Sequence, residues 1–230
     1  MTTVATDTTT PDAAMRALVA SLGRLGRADL SERVDAAVAR AARPATIVCV
    51  VGQFKEGKSS LVNGLLGVEV CPVDDDLATS AVTLIRYGDE PSAVVRRRVD
   101  GELQAVPVPI EELGSWVSEV GNPDNRKAVE RVDIATPSAL LREGLMLVDT
   151  PGMGGLGAGH AAATMSFLRF ADALVMVSDT SSELTAPEAD FLVQARERCP
   201  NVMFVQTKTD LYPSWSRIVD MNREHLARRG

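Results

Sequence analysis

Short apolar runs alternate with amphipathic stretches along most of the chain. Runs such as 145–149 (LMLVD) and 173–178 (ALVMVS) are apolar at consecutive positions, which is typical of strands buried on both faces of a parallel sheet. This pattern predicts strands over 46–51, 81–87, 93–98, 103–108, 130–136, 145–149, 173–178 and 202–206. Apolar residues three or four apart predict helices over 58–67, 110–120, 161–171, 186–197 and 212–228. The expected fold is an α/β three-layer sandwich with a mostly parallel central sheet.

The beginning of the chain has a different pattern. Residues 1–11 are rich in threonine and have the composition of a disordered tail. Residues 12–44 carry apolar side chains at helical spacing in two stretches, which are broken near Gly23–Gly26 and closed by Pro44. We therefore predict two N-terminal helices that form an element separate from an α/β domain of residues 45–230.

Composition and charge exclude several classes of protein. The formal net charge of −7 and a pI near 5.0 argue against a nucleic-acid-binding protein, because such a protein normally has a basic face. The cysteines at 49, 71 and 199 are odd in number and form no CxxC pair, so neither a disulfide framework nor a zinc site is expected. The sequence has neither a secretory signal nor an apolar run of about 18 residues. We expect a protein of the reducing cytoplasm.

The first motif is Gly52-x4-Gly57-Lys58-Ser59, between a predicted strand and a predicted helix. In this context the motif is typical of a phosphate-binding P-loop, in which Lys58 reaches the β- and γ-phosphates and the Ser59 hydroxyl ligates Mg²⁺. The alternative is a glycine-rich turn with a solvated lysine. The predicted nucleotide-binding segment consists of Gly52, Gln53, Phe54, Lys55, Glu56, Gly57, Lys58, Ser59 and Ser60.

The second motif, LMLVDTPG, places Asp149 at the end of a buried strand. Ligands of parallel sheets bind at this end, where the carboxylate can hold a water molecule bound to Mg²⁺ and the Gly152 N–H can contact a γ-phosphate. Alone, these residues would also suit an ordinary turn. After a P-loop they favour a nucleotide site.

The third motif, VQTKTD, ends another apolar strand and contains Thr207, Lys208 and Asp210. An Asp210 carboxylate can accept hydrogen bonds from N1–H and the 2-amino group of guanine, whereas adenine has neither donor in that place. The motif therefore favours GTP over ATP, and an ATP-using P-loop protein is the weaker alternative. A surface charge pair is the structural alternative.

Four stretches resemble bacterial dynamin-like proteins: GQFKEGKSSLVNGLLG, CPVDDDLATSAVTLIRYG, PSALLREGLMLVDTPGMGG and SELTAPEADFL. Within that family, VVGQFKEGKS and FLRFADALVMVSD are most similar to the mycobacterial isoniazid-inducible dynamin-like proteins. The resemblance implies a P-loop GTPase fold, GTP hydrolysis with Mg²⁺, and N-terminal helices that join a neck bundle.

The resemblance also implies roles for single residues. It places on Thr79 the threonine that ligates Mg²⁺ and orients the attacking water, with Thr83 as the competitor. Met153 stands where small signalling GTPases have a glutamine, so catalysis must be assembled differently. Lys55 replaces the serine with which dynamins coordinate a monovalent cation, which makes it a candidate cationic finger. The alternative is a solvated loop lysine.

The same resemblance implies partners. Dynamin-type GTPase domains pair as homodimers across the nucleotide, and their contacts with membrane lipids lie in a stalk that would follow this segment. We expect an N-terminal portion of a longer protein, without the last strand of the domain, peripheral on the inner face of the plasma membrane. A nucleotide-gated binding module with little turnover remains the alternative function.

Overall fold

The computed structural model describes residues 11–41, 45–73, 81–118, 120–152, 168, 170–199 and 201–229. The chain divides between Pro44 and Ala45 into two compact units. The first unit contains helices α1 (Pro11–Arg24) and α2 (Ala28–Ala41). The chain turns between them at Gly26, whose φ of +69° lies in the left-handed region. The predicted pair of helices is confirmed, and the predicted tail lies outside the described residues except for Pro11, which begins α1.

The second unit is built on one sheet, which has eight strands in the described part of the chain. Its strands are β1 (Thr46–Gly52), β2 (Val82–Tyr87), β3 (Ser92–Val99), β4 (Glu102–Val108), β5 (Val129–Thr136), β6 (Leu145–Asp149), β7 (Ala173–Asp179) and β8 (Asn201–Thr207). Each agrees with its predicted strand to within one residue at either end. The order across the sheet is β4-β3-β5-β2-β6-β1-β7-β8.

The sheet is mostly parallel, as expected. β1 lies parallel to both β6 and β7, β7 is parallel to β8, and β2 is parallel to β5. β2 runs antiparallel to β6, and the β3–β4 hairpin adds an antiparallel edge next to β5. Since β1, β6, β7 and β8 share one direction, they all end at one edge of the sheet, where ligands of such folds bind.

Apolar side chains cover both faces of the central strands. Along β1, Val50 faces one core, and its neighbours Cys49 and Val51 face the other. The first core is closed by Val62 and Leu66 of helix α3 (Lys58–Leu66). The second core is closed by side chains of a helix on the other face. The layers are therefore helix, sheet and helix, as the consecutive apolar runs predict.

The remaining helices are α4 (Gly114–Val117), α5 (Ala186–Arg198) and α6 (Trp215–Ala227), with 3-10 turns at Ile110–Glu112, Pro123–Asn125 and Ala139–Leu141. Phe191, Leu192 and Ala195 of α5 close the second core. The predictions over 186–197 and 212–228 are confirmed, the latter with a start three residues late. The predicted helix 161–171 lies mainly outside the described residues. Among those residues, no helix combines the length and apolar character that a membrane crossing needs.

The predicted continuous helix 110–120 is wrong. A 3-10 turn and the four-residue α4 take its place. The Ser118 hydroxyl donates to the Gly114 carbonyl at 2.5 Å and accepts the Gly121 N–H at 2.9 Å, so the chain leaves the helix there. Serine hydroxyls compete with the helical backbone for hydrogen bonds in this way, which a periodicity of apolar residues does not reveal.

A buried amide fixes the segment that follows α3. The Asn63 Oδ1 atom accepts the N–H groups of Val70 at 3.1 Å and Cys71 at 2.9 Å, and its Nδ2 donates to the Cys71 carbonyl at 2.8 Å. Asn63 itself is buried on α3. The amide thereby replaces the strand or helix partner that this irregular backbone lacks.

Replacing Asn63 by alanine should lower the free energy of unfolding by about 2–3 kcal/mol, because three buried backbone groups would lose their partner. Urea denaturation followed by circular dichroism measures the change. Leu65→Ala, at a half-exposed position on the same helix, is the control and should cost less than about 1 kcal/mol. Equal losses in the two variants would contradict the role assigned to the Asn63 amide.

Candidate functional site

The loop between β1 and α3 lies directly against its neighbours, and two glycines make this possible. A Cβ atom on Gly52 would stand 2.2 Å from the Val177 carbonyl oxygen of β7. A Cβ atom on Gly152, beyond the end of β6, would stand 2.8 Å from the Phe54 nitrogen. Any side chain at either position would force the backbones apart. The first and second sequence motifs therefore meet in space.

Lys58 is the buried cation of the loop. It is the first residue of α3 and is 7% exposed, and its Nζ donates to the Gln53 carbonyl at 2.5 Å. Burial lowers the pKa of Lys58, and the nearby carboxylates of Asp149 and Glu56 only partly oppose this effect. Within the described part of the chain, no carboxylate forms an ion pair with this ammonium. Its charge is held inside the loop without a close counter-ion.

Ser59 and Asp149 form the polar link between α3 and β6. The Ser59 hydroxyl donates to Asp149 Oδ2 at 2.7 Å. Asp149 is 1% exposed, and its Oδ1 has no hydrogen-bond partner among the described residues. Burial raises the pKa of Asp149, although the Ser59 hydrogen bond and the charge of Lys58 lower it. The Ser59 hydroxyl and the Asp149 carboxylate, one oxygen of which has no partner among the described residues, suit a hard cation such as Mg²⁺.

The third motif contacts the loop from the side of β8. The Thr207 hydroxyl donates to the Glu56 carbonyl at 2.6 Å. Lys208, with a left-handed φ of 56°, follows it and donates from Nζ to Asp179 Oδ2 at 2.9 Å. Asp210 is exposed three residues beyond the end of β8. The structure thus brings residues of all three motifs to one edge of the sheet.

Two loop residues have distinct environments. Lys55 adopts a left-handed φ of 66° and is exposed, with its Nζ 5.3 Å from the centroid of the Phe54 ring. The Glu56 Oε2 atom accepts the Gln53 N–H at 2.5 Å. Burial raises the pKa of Glu56 to about 7, with smaller contributions from Glu188 and Asp179 in the same direction.

The residues predicted to complete the site before β2 and after β6 differ in how far they can be placed. Thr79 and Met153 lie outside the described residues. Thr83, the competitor of Thr79, is buried in β2 and pairs in register with Asp149. Thr83 thus lies inside β2, as the predicted strand 81–87 requires. Ser60 is an exposed residue in the first turn of α3.

Sequence reasoning missed three residues next to the site. Asp179 ends β7 and holds Lys208, and the signal for it was a carboxylate at the end of a buried parallel strand. Glu188 forms a capping box with Thr185 at the start of α5, which the spacing TxxE could have indicated. Asn63 has no comparable signal in the sequence, because its partners are backbone groups.

Comparisons with known proteins agree with this geometry. The model of the dynamin family matches residues 48–209. The isoniazid-induced protein IniA of Mycobacterium tuberculosis is 43% identical over 204 residues, which cover 88% of this chain and 32% of that protein. Dynamin-like protein 1 of Campylobacter jejuni is 25% identical over an alignment of 198 residues. The match covers 71% of this chain and 27% of that protein.

A solved structure supports the same fold. The structure of an oligomerised bacterial dynamin pair, whose description concerns the sensing and tethering of membranes, superposes with a TM-score of 0.64 at 19% identity. The match covers 94% of this chain and 35% of that one. The chain spans about a third of the length of these relatives. The family model covers well over half of the chain, and the sequence identity to IniA extends over most of it, so the chain belongs to the dynamin family and carries its GTPase domain.

Proposed function

We propose that this domain binds GTP with Mg²⁺ and hydrolyses it to GDP and phosphate. The observation that carries the proposal is the convergence of the loop, Asp149 and Thr207 at the edge where four parallel strands end. Among the described residues, the buried Lys58 ammonium has no carboxylate in ion-pair contact, and the Asp149 Oδ1 atom has no hydrogen-bond partner. A nucleotide triphosphate with its metal ion supplies both partners at once.

Phosphate binding follows from the local chemistry of the loop. The N-terminus of α3 begins at Lys58, so its first N–H groups and the positive end of the helix dipole face the loop. Lys58 would reach the β- and γ-phosphates, and the phosphate charge would offset the burial that lowers its pKa. Gly152 lies against Phe54 and would present its N–H to the γ-phosphate.

Mg²⁺ fits the pair formed by Ser59 and Asp149. The Ser59 oxygen would ligate the ion, and Asp149 would hold one of its water molecules through Oδ1, which has no hydrogen-bond partner among the described residues. When bound, the ion neutralises charge on the β- and γ-phosphate oxygens. Thr79 would be the third ligand and would orient the attacking water. It precedes Thr83 by four residues, and Thr83 pairs with Asp149.

Guanine selection would be the task of the third motif. The Asp210 carboxylate would accept from N1–H and the 2-amino group of the base. The Lys208 stem would lie along the base plane, and its ammonium is already held by Asp179. The Thr207 hydroxyl donates to the Glu56 carbonyl of the loop. This one hydrogen bond would link the base subsite to the phosphate subsite.

Partners and location are inferred from the family. The domain would dimerise with a second copy across the nucleotide and couple that pairing to membrane remodelling through regions outside this chain. The protein would be cytoplasmic and peripheral on the inner face of the plasma membrane. GTP turnover that accelerates with protein concentration tests the dimer. Tight GTP binding without turnover would instead support a nucleotide-gated binding module.

Lys58→Ala should weaken GTP binding at least about a hundredfold, because a buried charge-assisted contact to phosphate would be lost. Isothermal titration with GTP and Mg²⁺ measures the affinity. Lys127→Ala is the matched control, since Lys127 stacks on Trp116 outside the three motifs and should not affect binding. Near-wild-type affinity in Lys58→Ala would contradict the phosphate-binding assignment.

Asp210→Asn should shift preference from GTP toward xanthosine triphosphate, because an amide cannot accept both guanine donors. Each lost hydrogen bond should cost about 1–3 kcal/mol. Competition between the two nucleotides against a fluorescent GTP analogue gives the ratio of affinities. Asp220→Asn on the exposed face of α6 controls for charge removal, and an unchanged ratio in Asp210→Asn would defeat the guanine assignment.

Lys55 is proposed as a cationic finger that supplies positive charge near the bridging oxygen between the β- and γ-phosphates. The side chain is exposed, and its Nζ lies 5.3 Å from the centroid of the Phe54 ring. A tethered ammonium would do the work that a potassium or sodium ion does in other dynamins. Catalysis would then be independent of monovalent cations.

Lys55→Ser should slow GTP hydrolysis with little change in GTP affinity, and potassium should partly restore the rate. Wild-type turnover should be nearly equal in choline and potassium buffers of matched ionic strength. Steady-state phosphate release measures both, with Lys127→Ser as the control. A wild-type rate that requires potassium, or an undiminished rate in Lys55→Ser, would assign Lys55 to the solvated loop residues.

A further inference from the structure

The Glu56 side chain makes a hydrogen bond back to the backbone of the phosphate loop. Its Oε2 atom accepts the N–H of Gln53, three residues earlier, and lies where a Cβ atom on Gly52 would approach it to 2.9 Å. Its carbonyl oxygen is held by the Thr207 hydroxyl. Both the backbone and the side chain of Glu56 are therefore held by hydrogen bonds, and the carboxyl group loses the one from Gln53 if it moves away.

The charges around this carboxyl are mostly negative. Glu188, at the start of α5, and Asp179, at the end of β7, both disfavour a second negative charge, whereas Lys58 favours it. Lys208 already pairs with Asp179. Glu188 is buried, and its Oε1 has no hydrogen-bond partner among the described residues. Glu56 is thus a constrained carboxyl group in an environment that tolerates its charge poorly.

We propose that Glu56 takes up a proton when the phosphates of a nucleotide enter the loop, so that nucleotide binding is coupled to pH. This inference rests on the proposed nucleotide-binding function. The proton comes from solvent, one O–H bond forms on the carboxyl group, and no other bond changes. The carbonyl oxygen of the neutral acid still accepts the Gln53 N–H, so the loop keeps its shape.

The physical cause is repulsion across one loop. The phosphates would bring negative charge to Lys58, whose Nζ donates to the Gln53 carbonyl, while the Glu56 carboxylate accepts the N–H of the same residue. A like charge nearby raises a carboxyl pKa. The phosphates would also engage Lys58, whose positive charge favours the ionised form of Glu56. Because the pKa of Glu56 is already about 7, even a small further rise takes place within the neutral range.

The sign of the pH dependence follows from proton linkage. Near pH 6 the free protein already holds most of the proton, so binding takes up little. Near pH 7 about half a proton is taken up, and near pH 8 the uptake approaches the limit set by the pKa in the complex. Affinity should therefore fall as pH rises through 7, by at most about tenfold for each pH unit.

Isothermal titration with GDP and Mg²⁺ at pH 6, 7 and 8 tests the coupling, since GDP is not hydrolysed. Repeating the titration at pH 7 in PIPES and in imidazole, which differ in ionisation enthalpy, counts the protons taken up. The terminal phosphate of GDP itself titrates near pH 6. The relevant quantity is therefore the difference between wild type and Glu56→Gln, whose amide oxygen preserves the bond from Gln53.

The wild type should take up roughly half a proton more than Glu56→Gln at pH 7, and its affinity should fall about three- to tenfold more between pH 6 and 8. Glu188→Gln, which keeps the capping acceptor, should move the wild-type pH dependence to lower pH. The Glu188→Gln variant also tests the coupling if Glu56→Gln does not fold. Asp220→Asn should behave as wild type.

The outcomes separate the two hypotheses. Equal proton uptake in wild type and Glu56→Gln, together with normal GDP binding, overturns the coupling and leaves the proposed function in place. An unchanged pH dependence in Glu188→Gln also counts against the coupling. If the wild type binds no GDP at any of the three pH values, both the proposed function and the coupling are wrong.

Discussion

The close approach of Gly52 to β7 is the constraint on which the site depends. With 2.2 Å between a virtual Cβ atom and the Val177 carbonyl, the loop can lie across the ends of the strands only if this position has no side chain. That contact brings the loop within reach of Thr207 on the next strand and sets α3 with its N-terminus toward the sheet edge. The proposed phosphate, metal and base subsites would all take their positions from this contact.

Burial gives the same edge its chemical character. Lys58, Asp149 and Glu56 are each removed from water, and in all three burial shifts the pKa toward the neutral form. Ionised groups in such surroundings are costly unless they are paired. In the proposed function the ligand would offset this cost, because phosphate would pair with Lys58 and a metal ion with Asp149. Such a site would favour the loaded state over the empty one.

Central strands such as β6 and β7 could be predicted to within one residue because their consecutive apolar runs report burial on two faces. The helix predicted over 110–120 was wrong because Ser118 provides hydrogen bonds that end α4, which depends on side-chain geometry rather than periodicity. The three motifs could be found in the sequence because the residues of each are contiguous. Partners from other elements, such as Asp179 and Glu188, depend on β7 lying beside β8, which the sequence does not specify.

The antiparallel pairing of β2 with β6 decides at which edge of the sheet the chain enters β2. If β2 were parallel to β6, the chain would enter β2 at the opposite edge of the sheet, where β6 begins. Because it is antiparallel, β2 begins beside the end of β6 at which the metal ion is proposed to bind, with Thr83 opposite Asp149. Asn63 fixes the backbone at Val70 and Cys71, where the connection to β2 leaves α3. The described residues before and after this connection, Cys71 and Thr83, therefore both lie beside Asp149, at the edge of the sheet where the γ-phosphate is proposed to bind.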